Sequence, residues 1–206
     1  MLVMGMTGYG KSWWSKIYHR LWKRSIVYDP AGSFPVKQWY RAADILEQWT
    51  DTPPPATFSY GFMDKDPDAI GGIGDAVYYY GNMIYFIEEC ATVFKKGMAI
   101  CPEWLTNITF TGRHQACSLV LIAQRPTYIP VDIRSQANRV ITFTQHEDSD
   151  TDWMKAFFGR ERMKALPTLE RFKCFDYHNG QVTEYSIKPL VKKHYGIILD
   201  STKILV

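Results

Sequence analysis

The sequence predicts an α/β fold, a mainly parallel central sheet flanked by helices, with a β-hairpin near the C-terminal end. Three observations lead to this prediction. A glycine-rich loop stands between an apolar start and a helical pattern. Later apolar runs are too short for helices and end in polar residues. The 206 residues, 46% of them hydrophobic, suffice for one such core but not for two. We expect one domain over residues 1–190 and an arm or edge strand over residues 191–206.

The glycine-rich loop is the most informative motif. Residues 5–12 read G-M-T-G-Y-G-K-S and match the phosphate-binding pattern G-x-x-x-x-G-K-[ST], directly after an apolar start. Glycines let backbone N–H groups close around phosphate oxygens, Lys11 reaches the β and γ phosphates, and Ser12 offers a hydroxyl to Mg²⁺. The predicted nucleotide-binding residues are Gly5, Thr7, Gly8, Tyr9, Gly10, Lys11 and Ser12.

A helix is predicted directly after this loop. Trp14, Ile17, Tyr18, Leu21 and Trp22 recur at the spacing of one helix face, which we expect to pack on the sheet. The positive N-terminal end of that helix would face the same anion. The alternative is a glycine-rich turn that binds no ligand.

Apolar runs and turn residues predict the next elements. Residues 25–28 form a short buried-strand pattern, residues 36–50 a helical pattern, and residues 57–63 a further strand. We expect the glycines of residues 71–74 to form a loop that opens a helix before Tyr80.

Two carboxylates follow the apolar run of residues 83–87. This run is too short for a helix, so Glu88 and Glu89 stand at the C-terminal edge of a buried strand, where α/β sheets bind ligands. Beside a phosphate loop, the first carboxylate can hold Mg²⁺ through water, and the second can polarise the water that attacks the γ phosphate. We assign Glu88 to magnesium and Glu89 to catalysis. The alternative is an exposed acidic turn that caps a helix starting near Ala91.

The second half of the chain continues the same alternation. Residues 118–123 form a buried-strand pattern that ends in Gln124, whose amide could sense the γ phosphate at the strand edge. Another strand is predicted over residues 140–144 and a helix over residues 152–166. Residues 171–187 read as a hairpin that turns at an Asn-Gly pair.

Composition and charge exclude several classes of protein. No apolar run approaches the roughly eighteen residues that a membrane span needs, so we expect no span. The four cysteines form no C-x-x-C pair and the histidines no metal-type spacing with them, so neither a zinc site nor cysteine catalysis is expected. A formal charge of +3 does not by itself indicate nucleic-acid binding.

The motifs taken together resemble the FtsK-HerA superfamily of ring-forming, ATP-driven motors. The segments that carry the resemblance are G-M-T-G-Y-G-K-S, I-V-Y-D-P, I-Y-F-I-E-E and L-V-L-I-A-Q-R-P, in that order, within about residues 1–190. The last two are more specific than the phosphate loop. The small size is similar to that of genome-packaging ATPases of tailless, membrane-containing icosahedral viruses, most of all that of a turreted icosahedral archaeal virus.

This resemblance implies a RecA-like core of the ASCE class, with an added strand between the two nucleotide motifs and subunits arranged in a ring. By position, Lys11 and Ser12 would serve phosphate and magnesium, Glu88 and Glu89 would form the acidic motif, and Gln124 would be the sensor. The acidic motif of the family is usually Asp-Glu, so Glu88 would reach the magnesium with a longer side chain.

The resemblance also implies an arginine finger, a guanidinium from the neighbouring subunit that stabilises charge in the transition state. FtsK-type members carry a candidate shortly after the strand that matches residues 140–144, but residues 145–152 contain no arginine. Arg113 is our choice, and Arg125 and Arg160 are the further candidates. Each of the three could instead form an ordinary surface or interface ion pair.

The expected function is therefore hydrolysis of ATP with Mg²⁺, coupled to the translocation of viral double-stranded DNA into a preformed capsid. The expected partners are double-stranded DNA, capsid or portal-vertex proteins, and further copies of the chain in a hexameric or pentameric ring. Lys95 and Lys96 are candidates for contacts to the DNA backbone. We expect the protein in the host cytoplasm, with or without association with the virion or procapsid. The alternatives are a cellular HerA-type or FtsK-type DNA-processing motor, a small nucleotide kinase, and a nucleotide-dependent scaffold with little turnover.

Overall fold

The apolar runs form one nine-stranded sheet in the computed structural model, which describes residues 1–94 and 101–188. The strands are β1 (Leu2–Met4), β2 (Arg24–Tyr28), β3 (Gln38–Tyr40), β4 (Phe58–Phe62), β5 (Ile84–Ile87), β6 (Ser118–Ala123), β7 (Arg139–Thr142), β8 (Lys173–His178) and β9 (Gln181–Ser186). Their order across the sheet is β3-β4-β2-β5-β6-β1-β7-β8-β9. The first seven of these neighbours run parallel, and β8 and β9 add an antiparallel hairpin, so the predicted architecture is confirmed.

The position of β6 matters most for the site. It lies between β1, which leads into the glycine-rich loop, and β5, which leads into Glu88 and Glu89. This position matches the added strand that the resemblance described above implies. Because all three strands are parallel, the loop and the two carboxylates come at the same edge of the sheet.

Helices cover both faces of the sheet. They are α1 (Lys11–His19), α2 (Ala42–Asp51), α3 (Pro67–Tyr80), α4 (Glu103–Thr106), α5 (Val131–Ser135), α6 (Asp148–Phe158) and α7 (Arg160–Ala165). Alternate residues of β5 show the two faces: Ile84 and Phe86 join the apolar cluster that contains Trp14 of α1, whereas Tyr85 and Ile87 join the other cluster. Burial on both faces explains why the strands read as unbroken apolar runs.

Two predicted element boundaries are wrong. The helix expected over residues 36–50 begins only at Ala42, and β3 precedes it as an edge strand. Trp39 of β3 packs so closely on Gly61 that a Cβ there would lie 2.7 Å from the indole ring. The helix expected over residues 152–166 begins at residue 148 and breaks at Gly159, where φ is +78°.

The glycines of residues 71–74 lie inside α3, so the predicted loop is also wrong. Trp104 of α4 packs directly on Gly71 and Gly74. A Cβ on Gly74 would lie 2.4 Å from the Trp104 ring, and one on Gly71 would lie 3.2 Å from it. The small residues in the helix therefore serve close packing rather than a turn, a distinction that needs the position of a residue thirty places further on.

One buried histidine predicts an acid sensitivity of the fold. His19 is 3% exposed, and its Nε2 lies 2.9 Å from Ser25 Oγ and 3.3 Å from Ser59 Oγ. Burial, reinforced by the charge of Arg20, lowers the pKa of His19 from 6.5 to about 4. The unfolded chain therefore binds an extra proton between these two values, so stability falls as the pH drops through this window.

We expect the free energy of unfolding to fall by up to about 3 kcal/mol between pH 6.5 and pH 4 from this residue. Urea midpoints measured across that range in wild type and in His19→Gln test the expectation. The neutral amide cannot gain the proton, so the wild type should lose more stability than the variant. Parallel losses in both proteins would show that His19 is not responsible.

Candidate active site

The glycine-rich loop takes a conformation that other residues resist. Gly5 and Gly10 have φ values of +144° and +125°, which L side chains rarely adopt. A Cβ on Gly5 would lie 2.6 Å from Cβ of Phe143, and one on Gly10 would lie 2.9 Å from the Phe143 ring. Phe143, which directly follows β7, therefore packs against the loop. This close packing and the positive φ values explain why the loop has glycine at both positions.

The helix predicted after the loop is present and begins at Lys11. The N–H of Trp14 donates to Gly10 O at 2.9 Å, which makes the loop continuous with the helix. Trp14 and Ile17 are buried as the stripe predicts, but α1 ends at His19, and Leu21 and Trp22 lie beyond it. The first N–H groups of a nine-residue helix therefore face the region that the loop encloses.

Lys11 is 6% exposed and its Nζ donates to Met6 O at 3.2 Å, inside the loop. Burial lowers the pKa of the ammonium, and the charges of Glu89 and Glu88 oppose this effect. An ammonium group held in this way, with its solvent shell removed, is suited to bind a polyanion.

Glu88 lies directly beside the loop. Ser12 Oγ donates to Glu88 Oε1 at 2.7 Å, so the two residues predicted to serve magnesium are in contact. Burial raises the pKa of Glu88 to about 7, with smaller contributions in both directions from Ser12, Asp29, Glu89 and Lys11. Its second oxygen, Oε2, is buried and has no hydrogen-bond partner among the described residues.

The donor set around Ser12 and Glu88 fits Mg²⁺. A hydroxyl and a carboxylate are hard oxygen ligands, and an unpartnered buried carboxylate oxygen is left to bind a cation. Within residues 1–94 and 101–188, no cluster of three or more His, Cys, Asp or Glu side chains could hold a metal ion. Mg²⁺ is commonly bound by one or two protein oxygens together with phosphates and water, so these two oxygens alone would form only part of a magnesium site.

Glu89 and Gln124 are also brought together. Gln124 follows β6, and its Nε2 lies 3.5 Å from Glu89 Oε2. Glu89 has φ of +55°, a left-handed conformation that costs free energy in a residue other than glycine and that clusters at functional sites. Gln145 in turn donates from Nε2 to the backbone carbonyl of Gln124 at 2.7 Å, and so links this edge to the end of β7.

Asp29 supports the site, although it was assigned no role from the sequence. It is fully buried at the end of β2, where its carboxylate accepts hydrogen bonds from the N–H groups of Ala31, Ser33 and Phe34 at 2.6 to 2.9 Å. These bonds close the turn after β2. The negative charge also contributes to the raised pKa of Glu88. The Asp-Pro pair was a visible turn signal, but it did not indicate proximity to Glu88.

The three candidate finger residues lie in different places. Arg113 is exposed on a short helical turn, Gly112–Gln115, and lines a cavity at the amino ends of the strands, at the opposite edge of the sheet from the loop. Arg125 forms an ion pair with Asp150 of the same chain at 2.8 Å. Arg160 is exposed at the start of α7. Arg113 stays a prediction that only a neighbouring subunit can test.

Lys95 and Lys96, the predicted DNA contacts, lie outside the described residues, as does the predicted arm over residues 191–206. The chain makes one 3₁₀ turn over Cys90–Thr92 where a helix was considered. Among the residues that the structure describes, no helix is both long enough and apolar enough to cross a membrane.

Arg171 is a second residue near the site that the sequence did not single out. It lies between α7 and β8, and its Nε–H donates to the backbone carbonyl of Gly8 in the loop at 2.8 Å. An arginine 163 positions from its partner carries no local signal in the sequence. Only the pairing of β7 with β8 brings it to this edge of the sheet.

The strand order and the loop give the chain the fold of a P-loop ATPase. Among solved structures it is similar to the genome packaging NTPase B204 from Sulfolobus turreted icosahedral virus 2 in complex with ATP-gammaS. The two share 18% identity with a TM-score of 0.72 over 90% of this chain and 95% of that one.

Two further structures show the range of this similarity. The DNA-packaging ATPase B204 from Sulfolobus Turreted Icosahedral Virus matches with 17% identity and a TM-score of 0.63, over 90% of this chain and 95% of that one. VirB4 of Thermoanaerobacter pseudethanolicus matches with 10% identity and a TM-score of 0.59, over 91% and 88%. No family profile and no curated protein matches the sequence. The predicted resemblance is confirmed at the level of the fold.

Proposed function

We propose that the chain is a Mg²⁺-dependent ATPase and the motor subunit of a ring that drives double-stranded DNA into a preformed viral capsid. The observation that carries the ATPase is the pairing of Ser12 with Glu88 beside the loop, with Glu89 and Gln124 next to them. The fold shared with two packaging ATPases supports the coupling to DNA.

Binding depends on groups that are already in place. The loop N–H groups and the start of α1 would surround the phosphates, and Lys11 would supply a desolvated positive charge. Ser12 and Glu88 would hold Mg²⁺, which neutralises charge on the β and γ phosphates when it is bound. The protein thus contributes positioning and electrostatics, which provide most of the catalysis in phosphoryl transfer.

Hydrolysis needs one residue to act on water. The Glu89 carboxylate would orient the attacking water and accept its proton, while the Gln124 amide, 3.5 Å from Glu89 Oε2, keeps that carboxylate at the strand edge. Gln124 also follows the strand that separates the two motifs, so it can respond to the γ phosphate and to Glu89 together. A finger from the next subunit would complete the site.

The ring and the DNA follow from the same proposal. A motor must grip any sequence, so it would bind DNA through phosphates rather than bases, and its salt dependence would be strong. It would act in the cytoplasm of the infected host at the procapsid, in contact with capsid or portal-vertex proteins. A cellular HerA-type or FtsK-type motor would share the hydrolytic site and differ in its partners.

The test is phosphate release from ATP, measured with and without double-stranded DNA. We expect Mg²⁺-dependent release that DNA stimulates. Lys11→Ala should lower turnover by about 10²-fold or more, because it removes a preorganised charge from the phosphates. Turnover that ignores DNA and requires a small phosphoryl acceptor would instead identify a kinase, and tight binding with no turnover would identify a scaffold.

A further inference from the structure

The segment between α7 and β8 contacts the outer side of the glycine-rich loop at two consecutive peptide groups. Arg171 donates from Nε–H to Gly8 O at 2.8 Å, and the N–H of Phe172 donates to Tyr9 O at 3.0 Å. The carbonyl of Phe172 accepts from the N–H of Ile187 at 2.8 Å, directly after β9. Residues 171 and 172, the connector, therefore join the loop to the C-terminal hairpin.

The backbone of the connector is itself constrained. Phe172 has φ of +69°, a left-handed conformation that is unfavourable in a residue other than glycine and persists only where the surroundings enforce it. Both of its backbone polar groups are used, one on the loop and one on the chain after β9. The Arg171 guanidinium lies 4.8 Å from the centroid of the Phe172 ring, which holds it in place by cation–π attraction.

Peptide geometry links these outer contacts to the inside of the loop. In a planar trans peptide the C=O and the next N–H point in opposite directions. Holding Gly8 O outward therefore turns the N–H of Tyr9 inward, and holding Tyr9 O outward does the same for the N–H of Gly10. The Tyr9 N–H indeed faces Met6 O, at 3.4 Å, the same carbonyl that accepts from Lys11 Nζ. These are the N–H groups that a phosphate would bind.

The charge pattern around Arg171 agrees with a role at the loop. Glu170, its neighbour, lies 3.5 Å from Lys173 and 3.8 Å from Lys188, and within residues 1–94 and 101–188 no carboxylate forms a salt bridge with Arg171. Other exposed cations do pair with nearby acids, as Arg41 does with Asp44. The positive charge of Arg171 is therefore not neutralised by a neighbouring carboxylate, and it lies at the rim of the proposed phosphate site.

We propose that Arg171 is a positioning residue, which holds the glycine-rich loop in its anion-binding conformation from outside and thereby sets nucleotide affinity without taking part in hydrolysis. This inference rests on the proposed ATPase function. It assigns Arg171 to the nucleotide's own subunit, unlike an arginine finger, and makes the connector the physical link between the loop and the hairpin.

Binding and turnover measured separately test this inference. Arg171→Met should raise the dissociation constants of ADP and of a non-hydrolysable ATP analogue by a similar factor, about tenfold for the loss of one charge-assisted hydrogen bond. Turnover at saturating ATP should stay within about twofold of wild type, because the hydrolytic residues are untouched. Arg41→Met, which removes another exposed arginine far along the chain, is the matched control and should leave all three values unchanged.

Three results with the Arg171→Met variant would overturn the inference. An unchanged ADP affinity in Arg171→Met would show that the loop does not need this contact. A loss confined to the ATP analogue would show direct contact with the γ phosphate, and a large loss of turnover at saturation would show a part in the chemistry. Thermal midpoints close to wild type confirm that the variant is folded, and a wild type that binds neither nucleotide would overturn the proposed function along with this inference.

Discussion

Glu89→Gln is expected to lower ATP turnover by about 10²- to 10⁴-fold, the range that a positioned general base contributes. The amide keeps the size of the side chain and can still contact Gln124, which lies 3.5 Å from Glu89 Oε2, but it cannot accept the proton of the attacking water. Nucleotide affinity should change little, because in the proposed mechanism Lys11, Ser12 and the loop, rather than Glu89, would contact the phosphates. DNA stimulation should disappear with the basal activity.

Phosphate release with and without DNA, together with equilibrium binding of a labelled ATP analogue, measures both halves of this expectation. Glu161→Gln is the matched control, because Glu161 is an exposed carboxylate on α7 that pairs with Lys164 three residues further on. It should behave as wild type. Normal turnover in Glu89→Gln would refute the catalytic assignment and direct attention to another group at this edge of the sheet.

The residues of the candidate site could be predicted because their signals are local. The loop occupies eight consecutive residues, and Glu88, Glu89 and Gln124 each follow a short apolar run. Short, unbroken apolar runs are typical of buried parallel strands. The carboxyl ends of such strands meet at one edge of the sheet. The sequence therefore predicts that Ser12, Glu88, Glu89 and Gln124 lie at one edge of the sheet, and in the structure Ser12 contacts Glu88 and Gln124 lies beside Glu89.

Contacts between distant parts of the chain could not be predicted in this way. Trp14 in α1 donates to Tyr185 Oη at 2.7 Å across 171 positions, and Tyr185 donates to Asp176 Oδ2 at 3.0 Å. Asp176 also forms an ion pair with Arg139 at 2.7 Å. These bonds attach the helix that follows the glycine-rich loop to the hairpin. Neither segment contains a sequence pattern that indicates contact with the other.

The wrong boundaries have the same origin. The glycines in α3 are typical of a loop, but in the structure Trp104 packs against Gly71 and Gly74 within a helix. The sequence of β3 fits a helical pattern, but in the structure Trp39 packs on Gly61 within the sheet. Intrinsic preferences at these positions are weak, and packing against a distant aromatic ring outweighs them. The positions of the candidate site's residues could be predicted because their motifs consist of particular residue types at fixed spacings, which do not depend on packing against distant parts of the chain.

Arg113→Ala is expected to leave nucleotide binding intact and to lower turnover of the assembled ring by about 10³- to 10⁵-fold, the contribution of an arginine finger. Arg113 is exposed and lies at the amino ends of the strands, whereas Glu88 and Glu89 follow the carboxyl end of β5. It cannot serve its own site from there, but an exposed edge opposite the loop is suited to face the loop of a neighbour in a closed ring.

Mixing two inactive variants provides the sharpest measurement of this effect. An Arg113→Ala subunit keeps Glu89, and a Glu89→Gln subunit keeps Arg113. In a mixed ring, an interface between the two kinds of subunit can therefore combine an intact Glu89 with an intact Arg113. Turnover should therefore reappear on mixing and reach a maximum near equal proportions, although each variant alone is inactive. Arg160→Ala, tested in the same way, should hydrolyse ATP normally by itself. If Arg113→Ala retains activity, or if mixing restores none, the finger comes from another residue.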